Sequence, residues 1–331
     1  MTAIRYDVAA IGNAIVDVIS RCDDAFLAKH GAAKGGMRLI DTPTATALYT
    51  AMGPAIEVSG GSAANTTVGI ASFGGNAAFI GKVADDELGR IFAHDIRAAG
   101  VAFATRPKSG GEPTARCLIL VTPDGERTMS TFLGVSPELD HADVDADTIG
   151  ASRIVYLEGY LFDRPEAKAA FARAADIAKK AGRQVAMTLS DGFCVDRHRA
   201  EFQTFIRDKV DILFANENEI TTLYQTKNFD EVIRRAKQDA PLVVLTRSAK
   251  GSLILAGEKA VAVPAEPISH VIDTTGAGDL YAAGFLYGLA NGHDLAICGR
   301  LGSIAAAEII SHIGARPEVR LAEFARTAGV I

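Results

Sequence analysis

Six short aliphatic or β-branched runs recur along the chain, and each stands beside a longer stretch with helical spacing. They are YDVAAIG (6–12), NAAFIGKV (76–83), RIVYLEG (153–159), QVAMTLS (184–190), VDILFAN (210–216) and LVVLT (242–246). Strand-sized runs that alternate with helices predict a mostly parallel sheet covered by helices, an α/β three-layer sandwich. With 331 residues, 48% of them hydrophobic, the chain can fill such a core as one substantial domain, or one domain with a smaller appendage.

Two stretches break the rhythm. Residues 13–60 and 112–133 hold strand-like pieces, AIVDVIS, MRLID, ARCLILV and RTMSTFL, with a turn at Pro123-Asp124-Gly125. A sheet built from two such insertions would not fold alone. The expected division is a large α/β domain from 1–12, 61–111 and 134–331, with 13–60 and 112–133 forming a small β lid over the strand ends. Decorated edge strands are the plainer alternative.

Charge narrows the partners. Lys and Arg total 34 against 40 Asp and Glu, a formal net charge of −6, and the basic residues form no stripe, so neither nucleic acid nor an anionic membrane is expected. Cys22, Cys117, Cys194 and Cys298 lie far apart, without a C-x-x-C pair or a His cluster, and are expected as reduced thiols in a cytoplasmic protein. Asp7 and Asp17 interrupt what would have to be the apolar part of a signal peptide, and no apolar run reaches membrane-spanning length.

The stretch Asp273-Thr274-Thr275-Gly276-Ala277-Gly278-Asp279 follows a strand-like His270-Val271-Ile272 and opens the apolar run LYAAGFLYGLA. Glycines at a helix start let backbone amides turn toward an anion, which the helix dipole also favours. Asp279 lies where it can take a proton from an attacking hydroxyl while those amides hold a phosphoryl group. Taken as a bare Gly-x-Gly-Asp loop, a tight turn with an Asp cap explains the residues equally well.

The full seven residues, with the small-residue helix after them, resemble the C-terminal signature of the ribokinase-like, or phosphofructokinase-B, kinases. The resemblance implies that Asp279 is the catalytic base and that Gly276, Ala277 and Gly278 form an anion hole. It covers nearly the whole chain, in the family's motif order. Ser59-Gly60-Gly61-Ser62-Ala63-Ala64-Asn65, by itself a Gly-Gly turn leading into a helix, is similar to the family's substrate-contacting glycine motif. Gly60, Gly61 and Asn65 are thereby implied as substrate contacts, and Asp17 in GNAIVD as the carboxylate that accepts from adjacent hydroxyls.

Asn216-Glu217-Asn218-Glu219 reads locally as an acidic helix start. Its N-x-x-E spacing resembles the family motif that organises magnesium, water and phosphate, so Asn216 and Glu219 take those roles, Glu219 through water. By the same resemblance Thr246, Gly251 and Gly314 line the nucleotide site, and Asp273 and Thr275 are candidate potassium ligands. ATP and Mg2+, with K+ as a further candidate, are the implied cofactors.

Within the family, Ser62 in place of a lysine, GNAIVDV, GERTMSTFLGVS and VDILFANENE resemble adenosine kinases. Arg127 matches an arginine of that subgroup placed near the transferred phosphate, where its fork suits phosphate oxygens. Leu161 departs from the subgroup's phenylalanine in Gly159-Tyr160-Leu161-Phe162, leaving Tyr160 or Phe162 to supply a ring. The implied reaction is phosphorylation of the 5′-OH of adenosine or a related nucleoside. A sugar or sugar-acid acceptor (ribose, fructose or ketodeoxygluconate) and a noncatalytic nucleoside-binding protein are the alternatives, with the chain a monomer or homodimer.

Overall fold

The computed structural model describes residues 3–331. Its strands are β1 (Tyr6–Ile11), β2 (Ile15–Arg21), β3 (Met37–Leu39), β4 (Ala55–Gly60), β5 (Ala77–Ile80), β6 (Val101–Phe103), β7 (Ala115–Val121), β8 (Arg127–Phe132), β9 (Ser152–Glu158), β10 (Gln184–Thr188), β11 (Ile212–Asn216), β12 (Leu242–Thr246), β13 (Ser252–Ala256) and β14 (Lys259–Val263).

Nine of them form one sheet in the order β14-β13-β12-β11-β10-β9-β1-β5-β6. From β12 to β6 every neighbouring pair is parallel, and β13 and β14 add an antiparallel edge. All six aliphatic runs lie in this sheet, because strands buried on both faces need apolar residues at successive positions. Alternation inside β1 divides the core: Val8 and Ala10 face one cluster, Ala9 and Ile11 the other. The first cluster packs under the helices Ser62–Ser72, Glu87–Ala98, Ala277–Ala290 and Leu295–Ile309, the second under Pro165–Lys180, Gly192–Lys209, Glu217–Tyr224 and Phe229–Asp239.

The other five strands make a separate sheet in the order β3-β8-β7-β2-β4. Strand β2 pairs antiparallel with β4 and parallel with β7, which places Asp17 beside both Val58 and Cys117. One face of this sheet, with Val16, Val18, Leu118 and Leu120, joins the first large cluster together with Leu27 and Leu48. The opposite face carries Ile15, Ile19, Cys117, Ile119, Val121 and Met129.

Two local expectations are corrected. His270-Val271-Ile272 is not a strand: Val271 and Ile272 are exposed, and the Ile272 amide donates to Ile310 O at 2.8 Å, the bond of a loop laid across a helix end. Strand β4 was not anticipated, since AIEVSG is short and its apolar positions pair across a sheet that only tertiary contact assembles. The four cysteines are free, three of them buried and Cys22 half-buried. Among the described residues, no helix is long and apolar enough to cross a membrane.

Candidate active site

The carboxyl ends of the parallel strands open onto one cleft, where a doubly covered sheet delivers its loops. The helix Ala277–Ala290 begins there with Gly276 as its cap, at φ +80°, a conformation suited to glycine. Ala277 N–H already donates to Thr274 O at 3.2 Å. The amides of Gly276 and Gly278 have no acceptor among the described residues, and a β-carbon built on Gly278 would meet nothing within 4 Å. Of the three residues expected in the anion hole, these two therefore offer free donors toward the cleft.

Asp279 sits in the first turn of that helix. Its Oδ1 accepts from Ser62 Oγ at 2.6 Å and its Oδ2 from Asn65 Nδ2 at 3.0 Å. Burial pushes its carboxyl above the usual range, while the Ser62 and Asn65 donors and the Arg316 charge pull it back. Ser62 was not anticipated as a site residue, because a serine after two glycines carries no local mark of a partner 217 positions away.

Asp17 enters from β2 of the small sheet and lies over Gly60, where a β-carbon would stand 2.4 Å from its Oδ2. No hydrogen-bond donor within the described residues serves it, and burial raises its carboxyl to about 6 against the nearby Arg316 and Arg127 charges. Gly61 begins the turn into helix Ser62–Ser72, which carries Asn65. An unpartnered carboxylate beside a Gly-Gly turn is a receptor for hydroxyl donors.

Arg127 reaches the same cleft from β8 and forms a buried ion pair with Asp273. Burial lowers its guanidinium below the usual value, and its Nε has no partner. Asp273 also accepts from Thr275 N–H at 3.0 Å and from Gly314 N–H at 3.1 Å. A guanidinium and two amides on one carboxylate do not fit the expected potassium role of Asp273 and Thr275, and no step is derived through that ion.

On the other side of the cleft, Asn216 ends β11 and caps the next helix in a reciprocal box with Glu219. Glu219 accepts from Asn216 N–H at 3.0 Å and Nδ2 at 2.6 Å. Its carboxyl is buried and raised to about 7. Register places Thr246 of β12 directly beside Asn216, and Gly251 closes the turn from β12 to β13. Asn216, Glu219 and Thr246 thus share one strand-end rim.

Two further side chains complete the floor. Glu158, at the end of β9, accepts from Asn13 N–H (3.1 Å), Asn13 Nδ2 (2.7 Å) and Ala63 N–H (2.8 Å), and burial raises it to about 7. Arg316 donates to Ser59 O and Ala64 O. Of the rings left open by sequence, Phe162 is buried and stacked on Phe202 at 4.1 Å, whereas Tyr160 is 38% exposed and feels the charges of Asp279, Glu158 and Glu219. Tyr160 N–H donates to Ser190 Oγ, and three residues on Phe193 is 81% exposed.

A helix start with two free amides, a half-buried carboxylate in its first turn and an unpartnered carboxylate opposite suit a small-molecule phosphotransferase that acts on an alcohol. The comparisons agree. A model of the pfkB family of carbohydrate kinases matches residues 56–320, and the chain belongs to that family. It is 53% identical to the crystal structure of adenosine kinase from Sinorhizobium meliloti, with a TM-score of 0.90 over 98% of this chain and 99% of that one. A probable sugar kinase from Rhizobium etli CFN 42 is 52% identical over the whole of both chains, with a TM-score of 0.92. Fructokinase-1 of Oryza sativa subsp. japonica is 30% identical over 76% of this chain and 80% of its own length. The protein is a sugar or nucleoside kinase.

Proposed function

We propose that the protein transfers the γ-phosphoryl group of ATP to the 5′-OH of adenosine or a related nucleoside. The observation that carries the nucleoside reading is the wall of the cleft. Tyr160 presents a partly exposed ring near Asp279 and Glu158, and the small sheet presents the partly buried Ile15, Ile19 and Met129 on the face that bears Asp17. A planar base would cover those apolar groups and stack on the ring. A free sugar would leave them wet. The adenosine kinase from Sinorhizobium meliloti supports the same reading by its identity over nearly the whole chain.

In this reading Asp17 and Asn65 receive the sugar hydroxyls and turn the primary hydroxyl toward Asp279. Asp279 takes the hydroxyl proton as the acceptor oxygen bonds to the γ-phosphorus and the bond to the β–γ bridging oxygen breaks, releasing ADP. The Gly276 and Gly278 amides and Arg127 bind the developing charge. Magnesium fits Glu219, a single oriented carboxylate that would hold it through water. Bound there, the ion would neutralise phosphate charge. The small sheet acts as a lid: the Arg127–Asp273 pair ties it to the anion loop, and its closure keeps water from the transferring phosphoryl group.

The test is ATP-dependent phosphorylation by the purified protein with magnesium, across adenosine, other nucleosides, ribose, fructose and ketodeoxygluconate. Strong preference for adenosine or another nucleoside supports the reading. Preference for a free sugar keeps the chemistry and overturns the acceptor.

A further inference from the structure

Arg316 lies in the loop after helix Leu295–Ile309, outside the residues assigned roles above by motif. Its Nε donates to Ser59 O at 2.8 Å, Nη1 to Ala64 O at 3.0 Å and Nη2 to Ser59 Oγ at 2.9 Å, with a further Nη2 contact to Ser59 O. Ser59 is held from its other side by Asp95, whose Oδ2 accepts from Ser59 N–H at 2.8 Å and from Ser59 Oγ at 2.6 Å. Both ends of the segment Ser59–Ala64 are therefore fastened, and the turn between them presents Ser62 to Asp279, followed by Asn65.

We propose that Arg316 is a positioning residue for phosphoryl transfer: it fastens the acceptor loop against the helix that carries Asp279 and brings a positive charge to the segment whose Ser62 and Asn65 meet that carboxylate. The proposal rests on the reading of Asp279 as base. A clamp on two carbonyls and a hydroxyl needs only neutral donors, so the choice of a cation requires its own reason. Withdrawal from water disfavours that cation, and among the described residues no carboxylate lies within ion-pair distance of it; burial lowers the guanidinium to about 10. Asp17, Asp95 and Asp279 act on Arg316 through space, and of these Asp17 and Asp279 are drawn down by its charge.

The groups that face Asp279 make the sign clear. Ser62 and Asn65 donate to it, and Arg316 is the cation whose charge draws it down. Asp17, Glu158, Glu219, Tyr156 and Tyr160 surround it with groups that are acidic or become so. Removing the guanidinium leaves that group of acids without its compensation, and the Asp279 proton becomes harder to lose.

The experiment is the pH profile of kcat/KM for the acceptor at saturating ATP, with Asp279→Asn measured in parallel. For Arg316→Met the acid limb is expected to move up by about one pH unit, with the rate near the optimum reduced about tenfold. Arg316→Lys keeps the charge but not the fork, so its limb should stay in place while acceptor KM rises about fivefold and ATP KM does not. Asp17 faces the same guanidinium, so the profile is repeated in Asp17→Asn, where any limb that still moves with Arg316→Met belongs to Asp279.

A static limb in Arg316→Met, or an unchanged acceptor KM in Arg316→Lys, overturns the proposal. If Arg316→Met does not fold, the Lys variant decides alone. An active Asp279→Asn would bring down the base reading and this proposal with it, whereas an inactive Asp279→Asn beside a static limb removes only the role of Arg316.

Discussion

Gly12 and Glu158 meet across the floor of the cleft at a spacing that admits no side chain: a β-carbon at residue 12 would stand 2.4 Å from Glu158 Oε2 and 2.6 Å from Ala63 Cβ. Glu158 in turn holds Asn13, where the chain leaves the large sheet, and Ala63, where it returns from the small one. Ser136 extends the tie, donating to Asn13 Oδ1 at 2.9 Å and accepting from Ala14 N–H at 3.0 Å. One buried carboxylate thus anchors the crossings between the two sheets.

Gly12→Ala is therefore expected to destabilise the protein by about 1–3 kcal/mol, because the neighbours are packed and one of them is a hydrogen-bonded carboxylate. Chemical denaturation read by circular dichroism measures this. An unchanged midpoint would mean that the floor yields freely.

Asp279→Asn should lower kcat by about 10²–10⁴-fold, the range spanned by loss of a general base, while ATP affinity stays near that of the unaltered protein. Asparagine keeps the shape and can still meet Ser62, so folding should not suffer. Single-turnover phosphoryl transfer and nucleotide titration separate the two effects, and substantial transfer would rule out the assigned base.

Asp17→Asn should lower kcat/KM for the acceptor about 10–100-fold while leaving measurable turnover, since it weakens one charge-assisted hydrogen bond to the acceptor, and it should stabilise the fold at alkaline pH. The folded carboxyl titrates at about 6, above its ordinary value of 3.8, so the folded state binds the proton more tightly than the unfolded state does. The fold gains its full share from Asp17 below about pH 4 and loses it as the pH rises through 6. The variant should exceed the parent by about 1–2 kcal/mol at pH 8 and match it near pH 4. Equal stability at both pH values would show that Asp17 is well solvated.

Tyr160→Ala should raise KM for a nucleoside about tenfold and leave KM for ATP unchanged, since one stacked ring contributes on the order of 1 kcal/mol or more. Steady-state kinetics with each substrate varied in turn measures it. Equal rises in both constants would place the ring at the nucleotide instead.

Much of this protein is legible along the chain. The six aliphatic runs determined a parallel sheet because strands covered on both faces need continuous apolar residues, and the glycines of Asp273–Asp279 determined a helix start with a carboxylate in its first turn. Only the tertiary structure decided that Asp279 leans on Ser62 and Asn65, that Asp273 pairs with Arg127, that Glu158 ties the crossings and that Arg316 fastens Ser59, 257 positions away. The physical reason is range. Periodicity and turn chemistry act over a few residues and are written locally, whereas desolvation and charge act through space, and which side chains share a buried cleft is settled only when the two sheets close on one another.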